Sequence, residues 1–489
     1  MSHPDPSQPP GLAVSAVQEE KWFRGGLILA GFGLGILLWT IVCTVPGFNW
    51  NPARLAPSFA LARGLPIYAL RDSGLQLGWF YGPVFPLWYL PVSFIDQPTL
   101  AHMLAALWNA FTYLAPVALV LRVAGVASGR WLAGYGLLAA LLLLAHPIAF
   151  RNFYYVHVDV VCLLWGLLAC AALHRGVRTG RPAWLHLAAA SLALAVWSKQ
   201  IAFMLYPALL VWMWREAPRP MFGRMVLWCV VHGAAISALF LAWFGAEEIL
   251  FNVWLFHSRN SWEGGWIMLL QQAGILLAST LPWLPVALAA GWLLRGKSPA
   301  LPAGAASLVR LLLWAAAWQA PLGLMAPLKT GGGLNSFHSL HYAFVAGMIL
   351  LACALQQTAC ATRGRLVAAS GLILIGLMLG SAFRSVVSVG AVWTPHRGQE
   401  HLLQLAREQP GRMYFPGNPL VTIIAERRIQ PLDYALYCLW CARLEVPAEA
   451  VRAAVPEKPI ILYQEPAQGH FALRYFPRSQ EQAAEPVHP

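Results

Sequence analysis

One stretch stands apart chemically: Lys329-Thr330-Gly331-Gly332-Gly333-Leu334-Asn335-Ser336-Phe337-His338-Ser339-Leu340-His341. Three glycines after a lysine leave backbone N–H groups able to approach an anion, as in a nest. The lysine adds a point charge suited to phosphate. The order is not that of a nucleotide P-loop, which requires GxxxxGK[ST]. The plainer reading is a flexible loop with a snorkelling lysine. His338 and His341, at i and i+3, can share one helix face. No third ligand follows in sequence, so a divalent metal stays open, no metal ligand is assigned, and no cofactor is named.

A second group surrounds Asp159, which closes the run Tyr154-Tyr155-Val156-His157-Val158-Asp159. It reads either as a first-turn carboxylate stabilised by the helix dipole or as a site carboxylate held by Arg151 or His157. Lys199, followed by Gln200, lies between two apolar runs. It is either a snorkelling lysine or a ligand for an anionic lipid head group. Asp72 and Tyr81 add a second carboxylate and a phenol upstream, and Asn51 opens that segment. Asn109, His232, Gln319 and Gln356 lie in or near apolar runs and read as inter-helix hydrogen-bonding residues.

These groups must be held by apolar helices. The 489 residues are 58% hydrophobic and 11% charged, where a soluble domain carries roughly 25% charged residues. Spanning runs of roughly 20 apolar residues recur, because hydrocarbon cannot satisfy free backbone groups. Spans are expected near residues 26–45, 102–121, 131–147, 158–173, 185–197, 201–214, 225–244, 274–294, 308–326, 341–360 and 366–383. The first reads as a retained signal anchor after a disordered, cytoplasmic stretch 1–25. The 23 tryptophans suit two interfacial belts.

The net charge of +13 reads as orientation rather than nucleic-acid binding, since no nucleic-acid motif accompanies it. With eleven spans, Lys21, Arg24, Arg122, Arg130, Arg175, Arg178, Arg181, Arg215, Arg219, Arg224, Arg295, Lys297, Arg310, Arg363 and Arg365 share the cytoplasmic side. Both Arg175–Arg181 and Arg215–Arg224 fall there only if the chain turns back at Lys199. The chemistry-bearing residues then gather on the opposite, periplasmic side. That asymmetry argues against a transporter, whose site belongs near midplane.

The expected class is therefore an all-α polytopic inner-membrane protein of about eleven helices. Residues 26–385 form its membrane domain, with interfacial helices in the first outer loop, 46–98. Residues 386–489 form a small periplasmic α/β domain. There, Gln399 to Gln409 reads as an amphipathic helix, and 412–415, 420–425, 460–463 and 471–476 read as short strands. Cys438 and Cys441 form a CxxC in this part, a local disulfide or two unremarkable thiols. Cys43, Cys162, Cys170 and Cys229 lie in apolar runs and read as small hydrophobes.

Ala62-Arg63-Gly64-Leu65-Pro66-Ile67-Tyr68, then Tyr81-Gly82-Pro83-Val84-Phe85-Pro86-Leu87-Trp88-Tyr89-Leu90-Pro91, then His157-Val158-Asp159, Trp197-Ser198-Lys199-Gln200 and the glycine stretch follow one another along residues 25–385. In this order the chain resembles the GT-C superfamily of membrane glycosyltransferases, nearest its bacterial protein-mannosyltransferase-like and lipid-A-sugar-transferase-like members. The resemblance implies transfer of a sugar from a polyprenyl-phosphate donor to a lipid, glycan or protein acceptor at the outer face, with membrane lipid as a further partner. It also implies an acidic residue in the first outer loop. At that place this chain has Asn49-Trp50-Asn51, and asparagine cannot accept a proton as a base. Either Asp72 or Asp159 takes the role, or the protein is a non-catalytic binding or assembly relative. A lipid-linked-sugar transporter is the third reading. Lys199 and Lys329 are the expected phosphate ligands, with Gln200, Asn335, His338, Tyr81, Arg151, His157 and Asn51 nearby.

Overall fold

Short, punctuated links between apolar runs dictate how the helices pair. The structure, a computed structural model, describes residues 50–125, 155–280, 301–357 and 399–462, apart from 263–264, 330–331 and 458, with a few others including 31–39, 41–42, 146, 148 and 152–153. The expected spans 131–147 and 366–383, much of 26–45, and the domain boundary at 386 lie outside the described residues.

The first outer loop folds into α1 (Trp50–Ala62), a 3-10 turn at Arg71–Ser73, α2 (Val84–Trp88) and a 3-10 turn at Leu90–Phe94. Four apolar helices follow it, two long and two short: α3 (Pro98–Val123), α4 (Val158–Thr179), α5 (Pro182–Ser198) and α6 (Leu205–Glu216). Next come α7 (Arg219–Phe244), α8 (Ala246–Ile249), a π-helical turn at Leu250–Leu255, α9 (Phe256–Arg259), α10 (Trp266–Thr280), α11 (Ala303–Met325) and α12 (His338–Gln357).

Local chemistry sets these ends. Helix α4 stops at Gly180, which is left-handed at φ 68° and donates to the Gly176 carbonyl. Pro182 then starts α5 at a position where its missing N–H costs nothing. So short a link makes α4 and α5 antiparallel, and their far ends meet where Lys199 reaches Asp159. Beyond Lys199 the chain reverses through a 3-10 turn, Gln200–Met204, and α6 descends until Trp212 lies against His174. Helix α7 climbs again: His232, midway along it, pairs with His186 near the start of α5, and Ser237 and Phe240 pair with Trp197 near the end of α5. The turn-back at Lys199 thus separates two short helices.

One end of the bundle gathers Arg175, Arg178, Arg215, Arg219 and Arg310, where Arg310 meets Glu216 and Arg178 meets the start of α11. The other end holds Asp159, Lys199 and Ser336. Among the described residues, four helices are long and apolar enough to cross a membrane, 98–123, 158–179, 219–244 and 303–328, and 182–198, 266–278 and 338–353 are shorter apolar ones. The protein is an all-α polytopic membrane protein. Its core joins α3, α4, α5, α6, α11 and α12 through Leu167, Leu192, Leu209, Trp212, Leu312 and Tyr342. Tyr342 lies so close to Gly166 that no side chain fits there. Of the expected inter-helix polar residues, Asn109 bonds the Asn152 and Phe153 carbonyls, whereas buried Gln319 has no partner among the described residues.

The C-terminal part comprises α13 (Gln399–Glu408), β1 (Met413–Tyr414), α14 (Pro419–Glu426), α15 (Asp433–Cys441), α16 (Ala448–Ala454) and β2 (Ile460–Ile461), with β1 and β2 parallel. The strand expected at 420–425 is helix α14. Val421-Thr422-Ile423-Ile424 has strand propensity, but Pro419 at the first helical position and burial on every side override it. The strand expected at 471–476 lies outside the described residues. No disulfide joins Cys438 to Cys441, three apart on α15. Leu420, Ile423 and Ile424 pack against Leu55 and Phe59 of α1, so this part shares a core with the first outer loop.

Candidate functional site

Asp159 lies in the first turn of α4, fully buried, with every side of its carboxylate occupied. Oδ1 accepts from Lys199 Nζ at 2.7 Å and from His338 Nε2 at 2.5 Å. Oδ2 accepts from Asn335 Nδ2 at 2.8 Å and from His157 Nδ1 at 2.6 Å. His157 also caps α4, with its Nδ1 3.5 Å from the Asp159 amide. One ring nitrogen cannot donate to a carboxylate and accept from an amide at once, and the 2.6 Å contact is the stronger. Burial first, then the charge of Arg54, pushes the His157 pKa down to about 4 despite Asp159. The ring is therefore neutral at pH 7. Arg54 Nη1 donates to the neighbouring Val156 carbonyl at 2.9 Å.

Three elements bring this cluster together. Lys199 ends α5, where helix carbonyls favour a cation, and His338 opens α12. Asn335 and Ser336 sit on the 3-10 turn Leu334–Ser336. Lys199 Nζ also donates to Ser336 Oγ at 2.7 Å, so two of its three N–H groups are used and one remains for a ligand. Burial is the largest single influence and opposes the ammonium, but the charge and hydrogen bond of Asp159 together with Tyr81 and Cys162 outweigh it and hold the Lys199 pKa above the ordinary lysine value. The Tyr81 ring lies over the ammonium at 5.6 Å. Tyr81 is delivered by Gly82, whose backbone meets the Trp197 carbonyl so closely that a Cβ has no room.

Lys329 stands beside this cluster rather than in it. Its Nζ donates to the His257 carbonyl at 2.7 Å and lies 4.9 Å from the Trp262 ring. Partial burial lowers its pKa. Gln200 ties the outer segments together, donating to the Phe80 and Val253 carbonyls at 3.1 Å each. The nest expected in the glycine stretch does not form at Gly332. Its N–H closes a turn onto the Lys329 carbonyl at 2.8 Å and is not offered to an anion. Gly331 lies outside the described residues. His338 is taken by Asp159, and the His341 ring packs on Tyr113 at 4.9 Å. Among the described residues no group of three or more His, Cys, Asp and Glu is arranged to hold a metal ion.

Asp72 is exposed on its 3-10 turn beside α16, and no described contact joins it to the Asp159 cluster. Asn51 is buried on α1, one turn before Arg54. Arg151 lies outside the described residues. Sequence reading did not single out Ser336 or His257. Ser336 sat inside the flagged stretch, overshadowed by its neighbours. His257 is a lone histidine in an aromatic segment, where periodicity carries no signal.

Residues 102–243 match a family model described as dolichyl-phosphate-mannose-protein mannosyltransferase, and this stretch contains both Asp159 and Lys199. No curated protein matches the chain. Among solved structures, the fold is similar to that of ArnT from Cupriavidus metallidurans bound to undecaprenyl phosphate. The TM-score is 0.55 at 12% identity, over 94% of this chain and 88% of that one. The apo crystal structure of the same protein gives 0.49 at 14%, over 89% and 78%. The partial family match and the shared fold agree with the chain's residue resemblance to the GT-C superfamily of membrane glycosyltransferases.

Proposed function

We propose that the protein transfers a sugar from a polyprenyl-phosphate carrier to an acceptor at the periplasmic face of a bacterial inner membrane. The observation that carries this reading is the buried cluster that presents Lys199, with one N–H to spare, at the end of the bundle away from the Arg175–Arg310 group. A phosphate leaving group needs cations already in place, because they act where charge develops. Lys199 and Lys329 supply them. One similar fold was solved with undecaprenyl phosphate bound, and that carrier class is what we assign to this chain. The carrier's tail lies in the bilayer against the helix ends. The N-terminal residues 1–25 are cytoplasmic, and residues 386–489 form a periplasmic unit that positions the acceptor.

In this reading Asp159 positions rather than reacts. Four donors saturate its lone pairs and solvent does not reach it. Without it, Lys199 and His338 lose their common anchor. Equilibrium binding of undecaprenyl phosphate to the full-length protein in detergent tests the carrier assignment. Lys199→Met and Lys329→Met are expected each to weaken binding about tenfold or more, the effect of roughly 1.4 kcal/mol. Affinity unchanged in both variants contradicts the assignment. A second reading, a carrier-binding protein without transfer, is favoured by one observation: Asn51 stands in the first outer loop where the resemblance implies an acid.

A further inference from the structure

If Asp159 is saturated, Asp72 is exposed elsewhere and the first loop carries Asn51, the acceptor's proton needs another destination. His257, in α9 between α7 and α10, is built to receive it. Its Nε2 lies 2.6 Å from the Phe80 carbonyl oxygen. A carbonyl only accepts, so Nε2 carries the proton and Nδ1 of the neutral ring carries a lone pair. Among the described residues nothing hydrogen-bonds that Nδ1, and it is not sealed from solvent.

The charges of both lysines assigned to the phosphate act on the ring. Lys329 Nζ donates to the carbonyl of His257 itself. The Tyr81 ring lies 5.8 Å from the imidazole and 5.6 Å from Lys199 Nζ. Phe256, the preceding residue, stacks on Phe80 at 3.8 Å and fixes the backbone. The orientation is therefore set by the Phe80 carbonyl and the neighbouring stack before any ligand arrives.

We propose that Nδ1 of His257 accepts the proton of the acceptor hydroxyl, an inference that rests on the transferase reading. The hydroxyl oxygen attacks C1 of the donor sugar and forms the new C–O bond. The bond from C1 to the phosphate oxygen breaks, and its electron pair leaves with the carrier. The monoanionic phosphodiester becomes a dianionic monoester, and the hydroxyl proton makes His257 an imidazolium, so charge balances. The new cation then stands beside the new dianion.

Among the described residues, the charged and titratable groups acting on the ring are Lys329 from the loop after α11, Lys199 from the turn after α5 and Tyr81 from the first outer loop, with Arg259 on its own helix, and none of them is a carboxylate. Burial first, then the two lysine charges, pushes its pKa down to about 4, against the Phe80 hydrogen bond that raises it. The free protein therefore keeps the ring neutral. A donor phosphate between the lysines offsets their repulsion and raises the pKa, so the base gains strength only when the donor is bound.

The test uses the full-length protein in membrane vesicles, with radiolabelled undecaprenyl-phosphate hexose as donor and the membrane glycans and water as acceptors. His257→Gln keeps an N–H for the Phe80 carbonyl and removes the base. It is expected to lower transfer at saturating donor by about 100-fold or more, with undecaprenyl phosphate affinity unchanged. Added imidazole is expected to restore transfer to His257→Gly. Wild-type turnover is expected to fall as pH drops through the donor-bound pKa, a limb missing from His257→Gln. Wild-type rates in His257→Gln overturn the inference and leave the transferase reading intact. A loss that tracks lost carrier affinity, without imidazole rescue, assigns His257 a merely structural role and also overturns it. A wild-type protein that binds carrier but moves no sugar overturns both.

Discussion

Replacing Asp159 with asparagine leaves Lys199 as a buried cation without its counter-charge. Breaking a buried pair from one side costs about 3 to 5 kcal/mol. Asp159→Asn is therefore expected to lower the denaturation midpoint of the purified protein strongly, and adding Lys199→Met is expected to recover part of the loss. Equal losses in single and double variants contradict the pairing. At this scale the sequence showed the residue types: Asp159, His157, Lys199, Asn335 and His338 all stood out as polar groups at the edges of apolar runs. It did not show that all four partners converge on one carboxylate, because they are 2, 40, 176 and 179 residues away and meet only through packing. The sequence left Asp159 as either a dipole-stabilised first-turn carboxylate or a site carboxylate held by Arg151 or His157; the structure surrounds it with His157, Lys199, Asn335 and His338.

The elements are held in register by a few close contacts. Helix α3 has no capping side chain of its own, since Gln97 precedes Pro98. Glu400, some 300 residues later on α13, supplies the cap: its carboxylate accepts from the Thr99 amide at 2.8 Å and from the Thr99 hydroxyl. Glu400→Gln is expected to cost about 1 kcal/mol, the usual worth of a helix cap, and to increase protease sensitivity of the C-terminal part. Unchanged proteolysis contradicts a latch there. Gly82→Ala is expected to push the first outer loop from the Trp197 carbonyl and move Tyr81 off Lys199. Its signature is weaker carrier binding. The helices of the bundle were legible because period and hydropathy agree along each of them. Helix α14 was not, because its β-branched composition points one way and its proline and burial the other. Helix α10 starts at Trp266 rather than near 274, since the polar Gln271-Gln272 pair interrupts the apolar run without breaking the helix.

The whole molecule divides its chemistry by end. Arg175, Arg178, Arg215, Arg219 and Arg310 gather at one end of the bundle and the Asp159 cluster at the other. If the positive-inside rule sets the orientation, Asp72→Cys reacts with an impermeant thiol reagent added outside intact spheroplasts, and Arg181→Cys reacts only after the membrane is opened. The reverse pattern contradicts a periplasmic site. This asymmetry was readable from loop charges alone, and it also required the reversal at Lys199 that the structure contains. The docking of the C-terminal part on α1 was not readable, because a shared apolar core leaves no periodic trace in either segment.

The most direct test of the central claim is sugar transfer from radiolabelled undecaprenyl-phosphate hexose by vesicles carrying wild-type protein or Lys199→Met. Transfer by the wild type, lowered about 100- to 1,000-fold in the variant as expected for a lost transition-state charge, is the predicted result. Equal transfer in both contradicts the claim that Lys199 serves the leaving phosphate.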